Sequence, residues 1–245
     1  MPPIKDRGES LQPMKITDHI AMLELARPNG AIYPTLVWDD NSLVLIDAGF
    51  PGQADALIGA IAAEGFRAGD ITHIILTHQD IDHVGCLPDI LRLATSARVI
   101  AHVDEAPYID GRATPIKLAA LESAYDTLPE DKKQFCDMLR EGFANRRVTV
   151  NQTVEDGAVL PIVGGIEVVH TPGHTPGHVA LFLRQDRIMV AGDAANIANG
   201  RITGPNPQHT QDMARGKASF DKLTAYYCRG VISYHCGFLR LESDA

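Results

Sequence analysis

The chain has 245 residues, 45% of them hydrophobic and 22% charged, enough to bury a substantial core in one large domain or two small ones. Its 31 acidic residues against 22 basic ones leave a formal charge of −9, which argues against nucleic acid or an anionic membrane surface as partner. There is no apolar run of roughly 18 residues to span a membrane, residues 1–12 have no signal-peptide pattern, and the scattered cysteines (Cys86, Cys136, Cys228, Cys236) suit a reducing, cytoplasmic setting.

Short runs rich in Val and Ile predict strands at 20–25, 31–38 and 43–46, with Asp39-Asp40-Asn41 as the turn between the last two. A helix is expected over 53–64, where Leu57, Ile58 and Ile61 share a face, then a strand at 71–76, a helix at 87–94 and a strand at 98–101. Two amphipathic helices then interrupt the alternation over about 113–146. Leu118, Leu121, Tyr125 and Leu128 recur at helical spacing, as do Phe135, Met138, Leu139 and Phe143, and Thr127, Pro129 and Glu130 read as a capping box opening the second helix. Strands follow at 148–150, 166–169, 179–183, 187–190 and 230–233, with a turn at Arg184-Gln185-Asp186 and a helix over 210–224. Strand runs on both sides of a helical insert predict an α/β sandwich of two halves, 1–112 and 147–245, within a single domain spanning 1–245.

The chemistry clusters where strands end. His78-Gln79-Asp80-Ile81-Asp82-His83 directly follows the strand at 71–76, and four ligand-type side chains in six residues suit a tight loop wrapping a cation. His170, His174 and His178 lie in a segment carrying two Pro-Gly turns, of which one need be a ligand and the others supporting hydrogen-bond partners. Gly192-Asp193 follows the strand at 187–190, and His235 follows the one at 230–233. Together they supply His78, Asp80, Asp82, His83, His174, Asp193 and His235, enough donors for two ions of zinc, iron or manganese and a bridging water.

With these four elements in place, the chain resembles the metallo-β-lactamase-fold superfamily of metal-dependent hydrolases, whose hallmark is HxHxDH followed by a distant PGH, a GD and a terminal His. The resemblance implies a four-layer αββα sandwich with the metals at one edge. It matches His78 and His174 to the first metal position, Asp82, His83 and His235 to the second, and Asp193 to the bridging carboxylate. Asp47, in Leu45-Ile46-Asp47-Ala48-Gly49, matches a supporting acid. The departure is Asp80, which stands where the family has its second His. A carboxylate is shorter than imidazole and adds a negative charge, so for Asp80 to ligate the first ion must shift or the loop must move, and otherwise only the second position holds an ion; the harder donor set also tilts the site towards iron or manganese.

The resemblance implies two divalent ions, zinc foremost, and a metal-bound hydroxide attacking a small ester, lactone or thioester, a phosphoester being less favoured. Asp82 and Asp193 are the expected catalytic carboxylates. Asp80 motivates the alternative of an iron-dependent redox or oxygen-handling enzyme of the same fold. The expected partner is a small-molecule substrate, and the insert serves as a lid, buries its own aromatic residues, or forms a homodimer contact. Among the superfamily's branches, hydroxyacylglutathione hydrolases add a helical C-terminal region, for which ten residues after His235 leave little room. Lactonases carry a Tyr where this chain has Asn196.

Overall fold

A computed structural model of the chain describes residues 14–241. The reading of residues 1–12 as lacking a signal pattern lies outside them. The first nine strands are β1 (Met14–Thr17), β2 (Ile20–Met22), β3 (Leu25–Arg27), β4 (Gly30–Ile32), β5 (Thr35–Trp38), β6 (Leu43–Ile46), β7 (His73–Ile75), β8 (Arg98–His102) and β9 (Gln152–Val154). The remaining strands are β10 (Val159–Leu160), β11 (Ile166–His170), β12 (Val179–Leu183), β13 (Ile188–Val190), β14 (Asn196–Ala198), β15 (Arg201–Thr203), β16 (Gly230–Ser233) and β17 (Gly237–Arg240). The helices are α1 (Ala54–Ala63), α2 (Ile81–Val84), α3 (Leu87–Leu93), α4 (Ala106–Ile109), α5 (Ile116–Ser123), α6 (Glu130–Ala144) and α7 (Met213–Thr224).

Two large sheets result, in the orders β1-β2-β5-β6-β7-β8-β9 and β10-β11-β12-β13-β16-β17, with β3-β4 and β14-β15 as separate hairpins. Alternation along the strands sorts side chains into layers. In β6, Leu43 and Leu45 face α1 and α3 through Leu57, Ile61, Leu87 and Ile90, while Val44 and Ile46 face the other way. There they meet Val168, Leu181, Val190 and Ile232 of the second sheet. On that sheet's far side, Ala180, Met189 and Val231 pack against Leu223 of α7. The result is the expected αββα sandwich, each fully buried Leu or Ile contributing about 1.5–3 kcal/mol.

Several local expectations are corrected. The run 31–38 splits into β4 and β5 around Tyr33-Pro34, because Pro34 has no N–H for a ladder and the Tyr33 amide turns to the Tyr234 carbonyl. The strand expected at 148–150 forms instead at Gln152–Val154. Asn151 occupies the approach, its Oδ1 accepting from the Val99 amide and its own amide donating to the Val99 carbonyl. The predicted halves do not separate cleanly either, since β9 lies beyond the insert but adds parallel to β8 in the first sheet. No capping box forms at Thr127. That residue closes a 3₁₀ turn, its hydroxyl donating to the Ala124 carbonyl, and Pro129 stands at the N-cap of α6 with no side-chain cap bond.

The insert packs as a satellite cluster. Leu118, Cys136 and Leu139 bury against Ile81, with Leu121, Tyr125 and Phe143 around them, while Phe135 and Met138 are exposed. This seats α5 and α6 directly over the one-turn helix α2.

Candidate metal centre

Parallel pairing of β6 with β7, and of β13 with β16, brings their C-terminal ends to one edge of the sandwich. Loops leaving the ends of parallel strands carry the ligands of many α/β proteins. Asp47 leaves β6, the 77–83 segment leaves β7, the 171–178 segment joins β11 to β12, Asp193 leaves β13 and His235 leaves β16. The Val179 amide donates to the Thr77 carbonyl and stitches the two sheets together at this edge.

The 78–83 segment is not wholly a loop. Asp80 is the N-cap of α2, so Asp82 and His83 ride on one helical turn, and the Asp80 side chain turns away from its helix to face His174. His78 Nε2 lies 3.2 Å and His174 Nε2 2.8 Å from Asp80 Oδ2. Asp193 sits among three rings, 3.3 Å from His83 Nε2, 3.5 Å from His174 Nε2 and 3.2 Å from His235 Nε2. Asp82 Oδ2 is 3.5 Å from His235 Nε2 and 3.8 Å from His83 Nε2. All seven residues singled out from the sequence therefore meet in one place.

The supporting shell aims them. Asp47 is buried with φ of +60°, a strained geometry for a non-glycine residue. It accepts from the Thr77 amide at 2.9 Å, the Thr77 hydroxyl at 2.8 Å and His83 Nδ1 at 2.9 Å. With Nδ1 donating to Asp47, Nε2 is the nitrogen that His83 turns to the site, the one an ion would take in place of a proton. His178 Nε2 accepts from the Asp193 amide at 3.0 Å, and His170 Nε2 donates to the Pro176 carbonyl, so both are structural partners, as expected. Gly192 has φ of +53°, and a Cβ there would lie 2.7 Å from His178 Nε2; only glycine allows this approach.

Sequence reasoning missed several contributors. Buried Glu105 accepts from the Gln79 amide and side chain, the Thr175 hydroxyl and the Gly177 amide, clamping the two ligand loops together. Tyr234 stacks on His83 at 3.8 Å and donates to the Asp82 carbonyl. Lys117 of α5 reaches in, its Nζ donating to Asp80 Oδ2 and lying 3.2 Å from His174 Nε2. The adjacency of Tyr234 to His235 was the one sequence signal; Glu105 and Lys117 had none.

Charge in the site is strongly biased. Burial, with His83 beside it, pushes the His78 imidazole down to about 4, so it is a neutral donor at neutral pH. Burial also opposes charge on His83, but Asp47, Asp82 and Asp193 outweigh it and hold this ring well above its ordinary value. Burial works against ionised Asp80 and Asp193, yet the surrounding histidines keep both well below the usual carboxylate range.

Among the described residues, three buried atoms in the centre lack any hydrogen-bond partner: His78 Nε2, His83 Nε2 and Asp193 Oδ1. Uncompensated burial of such groups is costly. Donor atoms of these same three residues fall within 4.8 Å of one another, as do those of His78, Asp80 and His174, and of Asp82, His83 and His235. Imidazoles and carboxylates converging this way fit a divalent ion of the zinc, iron or manganese class.

Comparison with known proteins agrees with the geometry. A probable metallo-hydrolase of Bacillus subtilis, YflN, is 30% identical over 215 residues, covering 80% of this chain and 76% of that protein. The atrochrysone carboxyl ACP thioesterase dmxR1 of Cryptosporiopsis is 21% identical over 197 residues, covering 79% of this chain but only 45% of that protein. Among solved structures, a metallo-beta-lactamase family protein of Thermus thermophilus superposes with a TM-score of 0.73 at 22% identity, over 92% of this chain and 76% of that one. The family model described as "Metallo-beta-lactamase superfamily" matches residues 27–227, which include most strands of both sheets and six of the seven site residues; with His235 completing the set, the chain belongs to that superfamily of metal-dependent hydrolases.

Proposed function

We propose that this hydrolase cleaves a small carboxylic ester, lactone or thioester with water activated at the His/Asp centre. The observation that carries the reading is the convergence of His78 Nε2, His83 Nε2 and Asp193 Oδ1, all buried and unpartnered. When bound, a divalent ion supplies Lewis acidity and lowers the pKa of water from 15.7 towards about 7. His78, His83 and Asp193 would hold it, with Asp82 and His235 alongside. Neutral His78 offers a lone pair at neutral pH. Asp47 keeps His83 in the tautomer that faces the site. The Asp193 carboxylate orients the attacking water and takes its proton. The oxygen of water bonds to the acyl carbon, the acyl–oxygen or acyl–sulfur bond breaks, and the leaving group receives the proton from Asp193. The name of the fungal thioesterase relative supports the thioester variant, and the metallo-hydrolase name of YflN supports hydrolysis in general.

The test is elemental analysis of chain purified without added metal, then turnover on an ester, lactone and thioester panel. Zinc, manganese or iron at one ion or more per chain, with turnover lost in a folded Asp193→Ala variant, is the expected result. Full activity in that variant, or a chain that takes up no metal on reconstitution, refutes the mechanism.

A further inference from the structure

The ammonium of Lys117 lies among the donors of the first metal position, and we infer that it is the resident cation there, so that the chain binds one divalent ion rather than two. This inference rests on the metal-hydrolase reading above and adds to it the make-up of the centre.

The contact is built rather than incidental. Lys117 is the second residue of α5, and the amide of the first, Ile116, donates to Gln79 Oε1 at 2.8 Å. Gln79 stands between His78 and Asp80 and is itself held by buried Glu105 through two bonds. Leu118, the next residue of α5, is buried against Ile81 of α2. The start of α5 is thus fastened to the ligand segment from both sides. The Lys117 side chain, 31% exposed, runs between these anchors to Asp80 and His174.

Charge and hydrogen bonding give the same answer. Where the family has a neutral histidine, Asp80 brings a negative charge, and Lys117 returns a positive one to the same carboxylate oxygen. A lysine has three N–H donors and no lone pair when charged. It therefore takes up the carboxylate oxygen that would otherwise face an ion, and its positive charge beside Asp80 and His174 repels a divalent ion from that position. The unpartnered atoms follow this division. Asp80 Oδ2 and His174 Nε2 have partners, whereas His78 Nε2, His83 Nε2 and Asp193 Oδ1 do not. One ion seated on those three atoms satisfies them all and leaves the Lys117–Asp80 pair intact.

The experiment is metal stoichiometry of the full chain, by zinc titration calorimetry and by elemental analysis after excess zinc is removed. Wild type is expected to saturate at about one equivalent, and Lys117→Met at about two, since methionine keeps much of the side-chain bulk and removes the charge. Lys117→Gln is a second charge-free variant, and circular dichroism checks that each is folded. Two equivalents in wild type overturn the inference whether or not either variant folds. One equivalent in wild type and in a folded charge-free variant also overturns it, because Lys117 is then not what excludes the second ion. No zinc bound by any of the proteins overturns the hydrolase reading itself, a result distinct from the other two.

Discussion

Asp47→Asn isolates the positioning of His83 from everything else at this edge. Asparagine has nearly the same shape and tolerates positive φ, so the backbone at +60° is not disturbed. What changes is one oxygen. If Oδ1 stays on the Thr77 amide, the new NH₂ faces the Thr77 hydroxyl and His83 Nδ1, both now 2.8–2.9 Å from a carboxylate oxygen. The hydroxyl can rotate to accept. The imidazole can accept at Nδ1 only by keeping its proton on Nε2, which denies the proposed metal the lone pair it would bind. Loss of such a supporting partner typically costs 10–100-fold in metal affinity, or about 1.4–2.7 kcal/mol. The metal-free fold loses a charge-assisted hydrogen bond, about 1.5–3 kcal/mol. Competition against a chromophoric chelator measures the first quantity, and urea denaturation of chelator-treated protein the second. An affinity within twofold of wild type, in a variant of unchanged stability, would show that Asp47 does not set the tautomer.

Two further predictions follow from the same geometry. Gly192→Ala forces a Cβ into the 2.7 Å approach to His178 Nε2 at a φ of +53°, and should destabilise the fold by about 2–4 kcal/mol; a loss below about 1 kcal/mol by chemical denaturation refutes the close-packing argument. For His78 the folded-state pKa, about 4, lies below the ordinary 6.5, so the unfolded chain binds the proton more tightly. The stability contribution is full above pH 6.5 and is lost as pH falls towards 4, about 3 kcal/mol for this ring alone. The unfolding free energy of metal-free His78→Asn protein should accordingly lack that part of the pH dependence, and identical slopes for wild type and variant between pH 6.5 and 4 would count against it.

Most of the site was legible because its donors are dense in sequence. Four fall within 78–83, His174 sits between two Pro-Gly turns, and Asp193 and His235 each close an apolar strand. Strand alternation was equally readable, since Leu43 to Ile46 could only be buried on both faces, which requires a sheet covered on each side. Helix and strand limits were weaker where a backbone group finds a partner outside the strand ladder, as the Val99 amide does on the Asn151 side chain and the Tyr33 amide does on the distant Tyr234 carbonyl.

Sequence alone determined the sandwich class and singled out the seven candidate donors that converge at one edge, because periodic burial and clustered His and Asp residues are local properties of a chain. Tertiary structure decided how those donors are held and charged. Glu105 meets Gly177 across 72 positions, Asp47 meets His83 across 36, and Lys117 meets His174 across 57. No local pattern records such pairs. A lysine on an amphipathic helix reads as a solvated charge until the packing of Leu118 on Ile81 turns that helix towards Asp80. Whether the first position takes a metal ion or an ammonium therefore depends on how α5 docks, a consequence of packing that the ligand motif does not contain.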